Sequence, residues 1–212
     1  MSLNKFYSKA IGLAIFTIVY NFIEGLVSVF FGKTDESITL FGFGIDSFIE
    51  VISGLGIFIM VLRIKNNSNT SKSSFEINAL KITGWGFYIL TAGLILGSIL
   101  NLYFGHKPET TFWGIIISSI SIVTMFWLYK SKTSLGQKLN SAPIIADGRC
   151  TLVCIYMSLI LLASSLVYEI SGFAWVDTIG AIGLAWFSFT EGKEALDKAK
   201  GKLCSCETDC CN

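Results

Sequence analysis

The chain has 212 residues, is 52% hydrophobic and only 15% charged, and carries a formal net charge of +1 at pH 7. Soluble domains carry about 25% charged residues, so a mean hydropathy of +0.64 excludes an ordinary water-soluble domain. The near-neutral balance and the lack of a basic groove exclude nucleic acid as a partner.

The apolar residues arrive in long blocks, the pattern of a bilayer protein in contact with membrane lipid. The opening MSLNKFYSKA runs straight into the first block. No short apolar core precedes a small-residue cleavage site, so this block is expected to be a retained span rather than a signal peptide. Spans of roughly 20 apolar residues are predicted at 9–31, 37–63, 77–104, 110–130, 142–167 and 174–192. The longest connection, RIKNNSNTSKSSFEIN, is polar. Pro108 falls in the loop GHKPET. Ser141 is a candidate N-cap for the fifth helix and Pro143 sits in its first turn, where a missing N–H costs little. Glycine-rich stretches, among them Gly93-xxx-Gly97 and the run GAIGLA from Gly180, suit close helix packing in lipid.

Of the 16 Lys and Arg, 14 fall on one side of this layout and only Lys33 and Lys107 on the other. Positive charge accumulates on the cytoplasmic side, so both termini are expected there. The predicted fold class is all-α: an integral membrane bundle of six transmembrane helices over residues 1–198, followed by a cysteine-rich cytoplasmic tail over 199–212.

Inside the second span, Asp46 and Glu50 stand four residues apart in LFGFGIDSFIEVISGLG, and inside the fifth Cys150 and Cys154 repeat that spacing. Residues four apart share a helix face, and ionisable groups in a span are costly and point to function. Counted from Ser37, Asp46 and Glu50 lie roughly 13 and 20 Å deep, and Cys150 and Cys154 rise by the same amounts from Ser141 at about 1.5 Å per residue. The two pairs therefore meet near the midplane, where transporters bind their cargo. Two carboxylates and two thiols suit a soft or borderline divalent ion such as zinc, cadmium, mercury or lead rather than magnesium or calcium. The bland alternatives are small-residue packing for the cysteines and structural polar bonding for the acids.

Asp147 is one turn before Cys150, as an entry ligand or as the partner of Arg149 or a lysine. Glu24 in the first span, three residues after Asn21, reads as a gate, a proton relay or a structural hydrogen bond. Asp177 lies near the outer end of the sixth span, either solvated or a gate or relay. His106 sits in an outer loop and carries no role. In the tail, Cys204, Cys206, Cys210 and Cys211 with Glu207 and Asp209 form a soft-metal cluster in a compartment where thiols stay reduced. The bland alternatives for the tail are a disordered end or a lipidation site.

With these residues in view, the chain resembles the cation diffusion facilitators, in a small bacterial branch. YNFIEGLVSVFFG, SITLFGFGIDSFIEVISG and ADGRCTLVCIYMS carry the resemblance, which spans nearly the whole chain. The family's second-helix acidic pair is matched by Asp46-Ser-Phe-Ile-Glu50. Its fifth-helix pair, set after Ala-Asp, is matched by Cys150 and Cys154 after Ala146-Asp147. Asp177 matches an acid near the start of the sixth helix. The resemblance implies a six-helix transporter of the cell membrane, exchanging a divalent metal for protons by alternating access, with no enzymatic activity and no prosthetic group. Cys/Cys in place of His/Asp implies a softer cargo than zinc alone. The family's C-terminal metal-binding domain helps hold its dimer; only a short tail follows the sixth span here, so a homodimer is expected to rest on membrane helices.

Two other classes fit parts of the pattern: a metal-binding membrane sensor that binds without flux, and a membrane thiol oxidoreductase. The second is weakened because cysteines at i and i+4 of one helix are poorly placed to pair and because it leaves Asp46 and Glu50 without a role. Direction is open from sequence, and import remains an alternative to export.

Overall fold

The computed structural model describes residues 3–66, 74–104, 111–139, 142–173 and 175–201. They form six helices: α1 (Leu3–Thr34), α2 (Ile38–Asn66), α3 (Ser74–Phe104), α4 (Phe112–Leu139), α5 (Ala142–Ser171) and α6 (Trp175–Ala199), with no strand among the described residues. At 1.5 Å per residue these elements exceed the roughly 30 Å hydrocarbon core, and most run on past the predicted spans, as α4 does to Leu139 and α6 to Ala199. Pro143 is the second residue of α5, where its missing N–H interrupts no intrahelical bond. Ser141 lies outside the described residues.

Five helices are long and apolar enough to cross a membrane. The predicted sixth span falls short of that composition because α6 is built largely of Gly, Ala, Ser and Thr, with Asp177 and Glu191 inside it. It still presents an apolar stripe to the outside, with Trp175, Ile179, Ile182, Trp186 and Phe189 exposed. Its buried side, Asp177, Gly180, Ala181, Leu184, Ser188 and Gly192, faces the bundle.

The distribution of polarity is that of a lipid-embedded body. Among the described residues, 24 polar or charged side chains are buried against 22 apolar ones. Large apolar residues such as Ile89, Tyr103, Val123 and Ile170 stand more than 70% exposed. In water such a surface would aggregate; in lipid it is the solvated one, and polar groups must find partners inside.

Helices pair most closely as α1 with α2, α4 with α5, and α3 with α6. The α1–α2 turn has three residues. Glu36 takes a left-handed φ of 55° and the Ser37 N–H reaches back to the Gly32 carbonyl, a closing bond of the Schellman type. Ser37 then caps α2, its Oγ accepting from the Leu40 N–H at 3.2 Å. Close approach by small residues occurs where α3 meets α6. A Cβ on Gly192 would lie 2.9 Å from the Tyr88 ring and 3.1 Å from the Gly84 carbonyl, so neither helix tolerates a side chain there. The GAIGLA run packs as expected, Gly180 lying against Ser164 of α5 and Thr39 of α2. Gly93 differs from expectation: nothing lies within 4 Å of its Cβ position, and Gly97 makes only ordinary contact, because that face of α3 is turned outward. An apolar cluster of Leu40, Leu94, Leu161 and Leu184 fills the half of the bundle where α2 and α6 begin.

Candidate metal centre

α2 and α5 bring one residue of each predicted pair into contact. The Cys154 thiol donates a hydrogen bond to Glu50 Oε1. The other carboxylate oxygen, Oε2, accepts from Asn21 Nδ2 of α1 at 2.8 Å. Glu50 is thus held from two sides, by α5 and by α1. Asp46, one turn away on the same face of α2, is 2% exposed, and its Oδ1 has no hydrogen-bond partner. A carboxylate oxygen left without a donor inside a bundle is costly, and a cation would satisfy it.

Cys150 lies one turn from Cys154, towards the face where α1 begins and α6 ends. Its Sγ stands 3.7 Å from Lys198 Nζ of α6. Both cysteines are free thiols; the Cys154 thiol bonds Glu50 and lies 3.4 Å from the Cys150 backbone carbonyl, not its sulfur. Among the described residues no three His, Cys, Asp or Glu side chains stand close enough together to hold a metal ion. The structure thus joins Glu50 to Cys154, sets Asp46 beside them, and turns Cys150 towards α6.

A third carboxylate lies beside this turn of α2. Glu24 of α1 is 7% exposed, accepting from Tyr20 OH at 2.8 Å and from Ser47 Oγ of α2 at 3.2 Å. Ser47 follows Asp46 directly, so Glu24 and Asp46 flank one turn of α2. Around Cys154, the Ser158 hydroxyl donates to the Cys154 carbonyl at 2.8 Å and stands 2.9 Å from Ser121 Oγ of α4.

Asp147 is ion-paired: Lys132 Nζ of α4 lies 3.1 Å from both of its carboxylate oxygens and donates to Thr151 Oγ1 at 3.1 Å. Lys132 is only 3% exposed. This burial is not legible in the sequence, because residue 132 falls past the predicted end of the fourth span while α4 runs on to Leu139. The side chain of Arg149 is outside the described set.

Asp177 is not solvated. It is 2% exposed, accepting from Ser37 Oγ at 2.6 Å and from the Ile38 N–H at 2.9 Å, while Thr39 Oγ1 donates to its backbone carbonyl. The carboxylate sits at the positive N-terminal end of α2, which favours a negative charge, and it ties the starts of α2 and α6 together. Nearby, the Thr111 N–H and Oγ1 bond Glu169 Oε2, each at 3.2 Å, and Oγ1 also reaches the Ser165 carbonyl. At this end of the bundle these bonds tie α2 to α6 and the start of α4 to α5.

The other half holds a cavity of about 60 Å³, lined by Glu50, Ser53, Thr83, Cys150, Glu191 and Lys198 together with apolar residues of α3 and α5. It has room for a few water molecules and extends from Glu50 past Cys150 to α6. Glu191 lies just inside the predicted end of the sixth span at residue 192 and Lys198 beyond it, where the lysine-rich sequence reads as a solvated cytoplasmic end; neither stands out from the sequence as a site residue. The tail cysteines Cys204, Cys206, Cys210 and Cys211 lie outside the described residues, as does His106.

No curated protein sequence matches the chain. The cation efflux transmembrane domain, however, matches residues 14–199, which takes in all six helices and every intramembrane residue discussed above. The chain is therefore a multi-pass membrane protein of the cation efflux family, the cation diffusion facilitators, which transport metal cations.

Proposed function

We propose that this protein exports a soft or borderline divalent metal ion, of the zinc, cadmium, mercury and lead class, in exchange for protons across the cell membrane. The observation that carries this reading is the Cys154 thiol bonded to Glu50 beside the partnerless Oδ1 of buried Asp46. A thiolate and two carboxylates make a donor set for a borderline ion, and Cys150 supplies a fourth donor once its side chain turns inward.

The same contact supplies the exchange. A proton lies between Cys154 Sγ and Glu50 Oε1 when no ion is bound. An arriving dication takes both atoms as ligands, and the thiol proton must leave, because the thiolate is the ligand. When the ion departs, a proton returns and the bridge reforms. Asn21 holds Glu50 in place through the cycle. Glu24, hydrogen-bonded to Ser47, gives the departing proton another carboxylate beside this turn of α2. Lys5, Lys9, Lys81, Lys130, Lys138, Lys193 and Lys200 all belong to the face where α1 begins and α6 ends, which supports a cytoplasmic assignment for it. The cavity then opens the site to the cytoplasm, and the four tail cysteines are placed to gather soft ions there. A homodimer through the exposed apolar helix faces fits the same reading.

The test is flux in proteoliposomes, with zinc, cadmium, mercury or lead supplied against an imposed pH gradient. Proton-coupled uptake, lost in Asp46→Asn/Cys154→Ser, supports transport through this centre. Tight binding without flux for any ion overturns it in favour of a sensor.

A further inference from the structure

We propose that Cys150 and Glu191 form a separate loading station for the metal ion, one turn short of the midplane centre, and that the Lys198 ammonium occupies this station when it is empty. This rests on the transport reading for its purpose but not for its existence.

Four observations carry it. The cavity that Glu50 lines is also lined by Cys150, Glu191 and Lys198, so these groups share one space with the midplane carboxylate. Cys150 Sγ is 3.7 Å from Lys198 Nζ rather than in contact with Glu50. Lys198 is held there by Glu194 at 2.8 Å, one turn back on α6, and the pair is largely buried at 20% and 29% exposure. Finally, Thr83 lines the same cavity, is 2% exposed, and its Oγ1 has no hydrogen-bond partner, leaving an oxygen donor unspent in a wall that already offers a thiol and a carboxylate.

A lysine ammonium among acids and a thiol satisfies their charge as a bound cation would, on a stem that swings. An arriving dication replaces it, taking Glu191 as carboxylate and Cys150 as thiolate, whose proton passes to the water of the cavity, while Lys198 gives up Cys150 and keeps Glu194, to which it is already paired. Mutual repulsion prevents ammonium and dication from sharing the pocket. The returning ammonium therefore drives the ion onward to Glu50 and Cys154. Thiolate and carboxylate together select soft or borderline divalent ions over magnesium and calcium.

The experiment uses the full chain in nanodiscs, titrated with cadmium alone and followed by thiolate-to-cadmium ultraviolet absorption. Cys204, Cys206, Cys210 and Cys211 are replaced by serine to silence the tail, and Glu50→Gln/Cys154→Ser removes the midplane centre. One thiolate–cadmium event is expected to remain and to vanish with Cys150→Ser. Glu191→Gln should weaken it on the order of tenfold or more, in the range of lost metal-site contacts. Lys198→Gln should tighten it by roughly tenfold, since a like charge at close range is gone; a gain in affinity cannot come from misfolding. With the midplane centre intact, Glu191→Gln should raise KM for cadmium flux and leave kcat in place. No cadmium event in the silenced background, or one indifferent to Lys198 and Glu191, overturns the station while leaving transport untouched. A Lys198-sensitive event in a protein without flux keeps the station and removes the transport reading instead.

Discussion

The buried Lys132–Asp147 pair offers a sharp test of what Asp147 does. Its ammonium lies 3.1 Å from both carboxylate oxygens, and the two side chains are 4% and 16% exposed. At an effective dielectric of 20, that separation corresponds to an attraction of about 5 kcal/mol. Most of it is offset by the cost of taking both charges out of water. Removing one partner leaves the other charged and buried, at a cost of about 3–5 kcal/mol. Removing both should cost far less. We therefore expect Lys132→Met and Asp147→Asn each to lose several kcal/mol of unfolding free energy, and Lys132→Met/Asp147→Asn to recover most of the loss. The assay is equilibrium unfolding of the purified protein in mixed micelles, read by helical circular dichroism and arranged as a double-mutant cycle. If both single variants unfold within about 0.5 kcal/mol of the parent, the pair is hydrated and the reasoning fails. If Asp147→Asn instead spares stability and weakens metal binding, Asp147 is an entry ligand.

Asn21→Leu keeps the volume but strips the Nδ2 donor from Glu50, so it should cost about 1.5–3 kcal/mol of stability and lower cadmium affinity, measured by isothermal titration. Cys154→Ser retains a hydroxyl donor to Glu50 while removing the soft ligand; the ratio of cadmium to zinc uptake should fall roughly tenfold or more, read by competition in proteoliposomes. Gly192→Ala places a Cβ 2.9 Å from the Tyr88 ring and should destabilise the α3–α6 contact by about 1–3 kcal/mol. Gly93→Ala, with nothing within 4 Å, should be neutral or stabilising by up to about 1 kcal/mol; equal effects at the two positions, in thermal unfolding, would refute the packing account.

The helices were legible because a span must be long and apolar; five of them meet that rule outright, and the more polar α6 keeps the length and an apolar outer stripe. Asp46, Glu50 and Cys154 were legible for the opposite reason: an ionisable group is conspicuous against such a background, and helical spacing says which of them share a face. What stayed hidden depends on contacts between elements. That Cys150 turns to α6 while Cys154 turns to α2 follows from the relative rotation of α5, α2 and α6, which period alone does not fix. Lys132, Glu191 and Lys198 lie where spans give way to polar sequence, and there burial depends on how far a helix continues beyond the apolar stretch. Asp177 looked like a solvated end residue because its partners, Ser37 and Ile38, are some 140 positions away in the chain.

Those partners make the closed end of the bundle a testable gate. Asp177 accepts from Ser37 Oγ and the Ile38 N–H, and these bonds hold the starts of α2 and α6 together on the face opposite the cavity. Alternating access requires that face to part while the cavity closes. The ties must therefore be strong enough to keep one side shut and few enough to break within a transport cycle. Two bonds to a carboxylate contribute about 1.5–3 kcal/mol each, and every 1.4 kcal/mol is a factor of ten in population. Asp177→Ala removes both and should raise the open population on that face by at least about tenfold. Labelling of Cys154 by a membrane-impermeant thiol reagent added from that face should accelerate by the same factor, with Cys150→Ser and the tail-silenced background isolating the signal. Ser37→Ala, which removes one bond and leaves the Ile38 N–H in place, should give an intermediate rate. Labelling unchanged in Asp177→Ala would mean that this face is held by the Leu40, Leu94, Leu161 and Leu184 packing instead, and that the buried carboxylate serves to cap α2 alone.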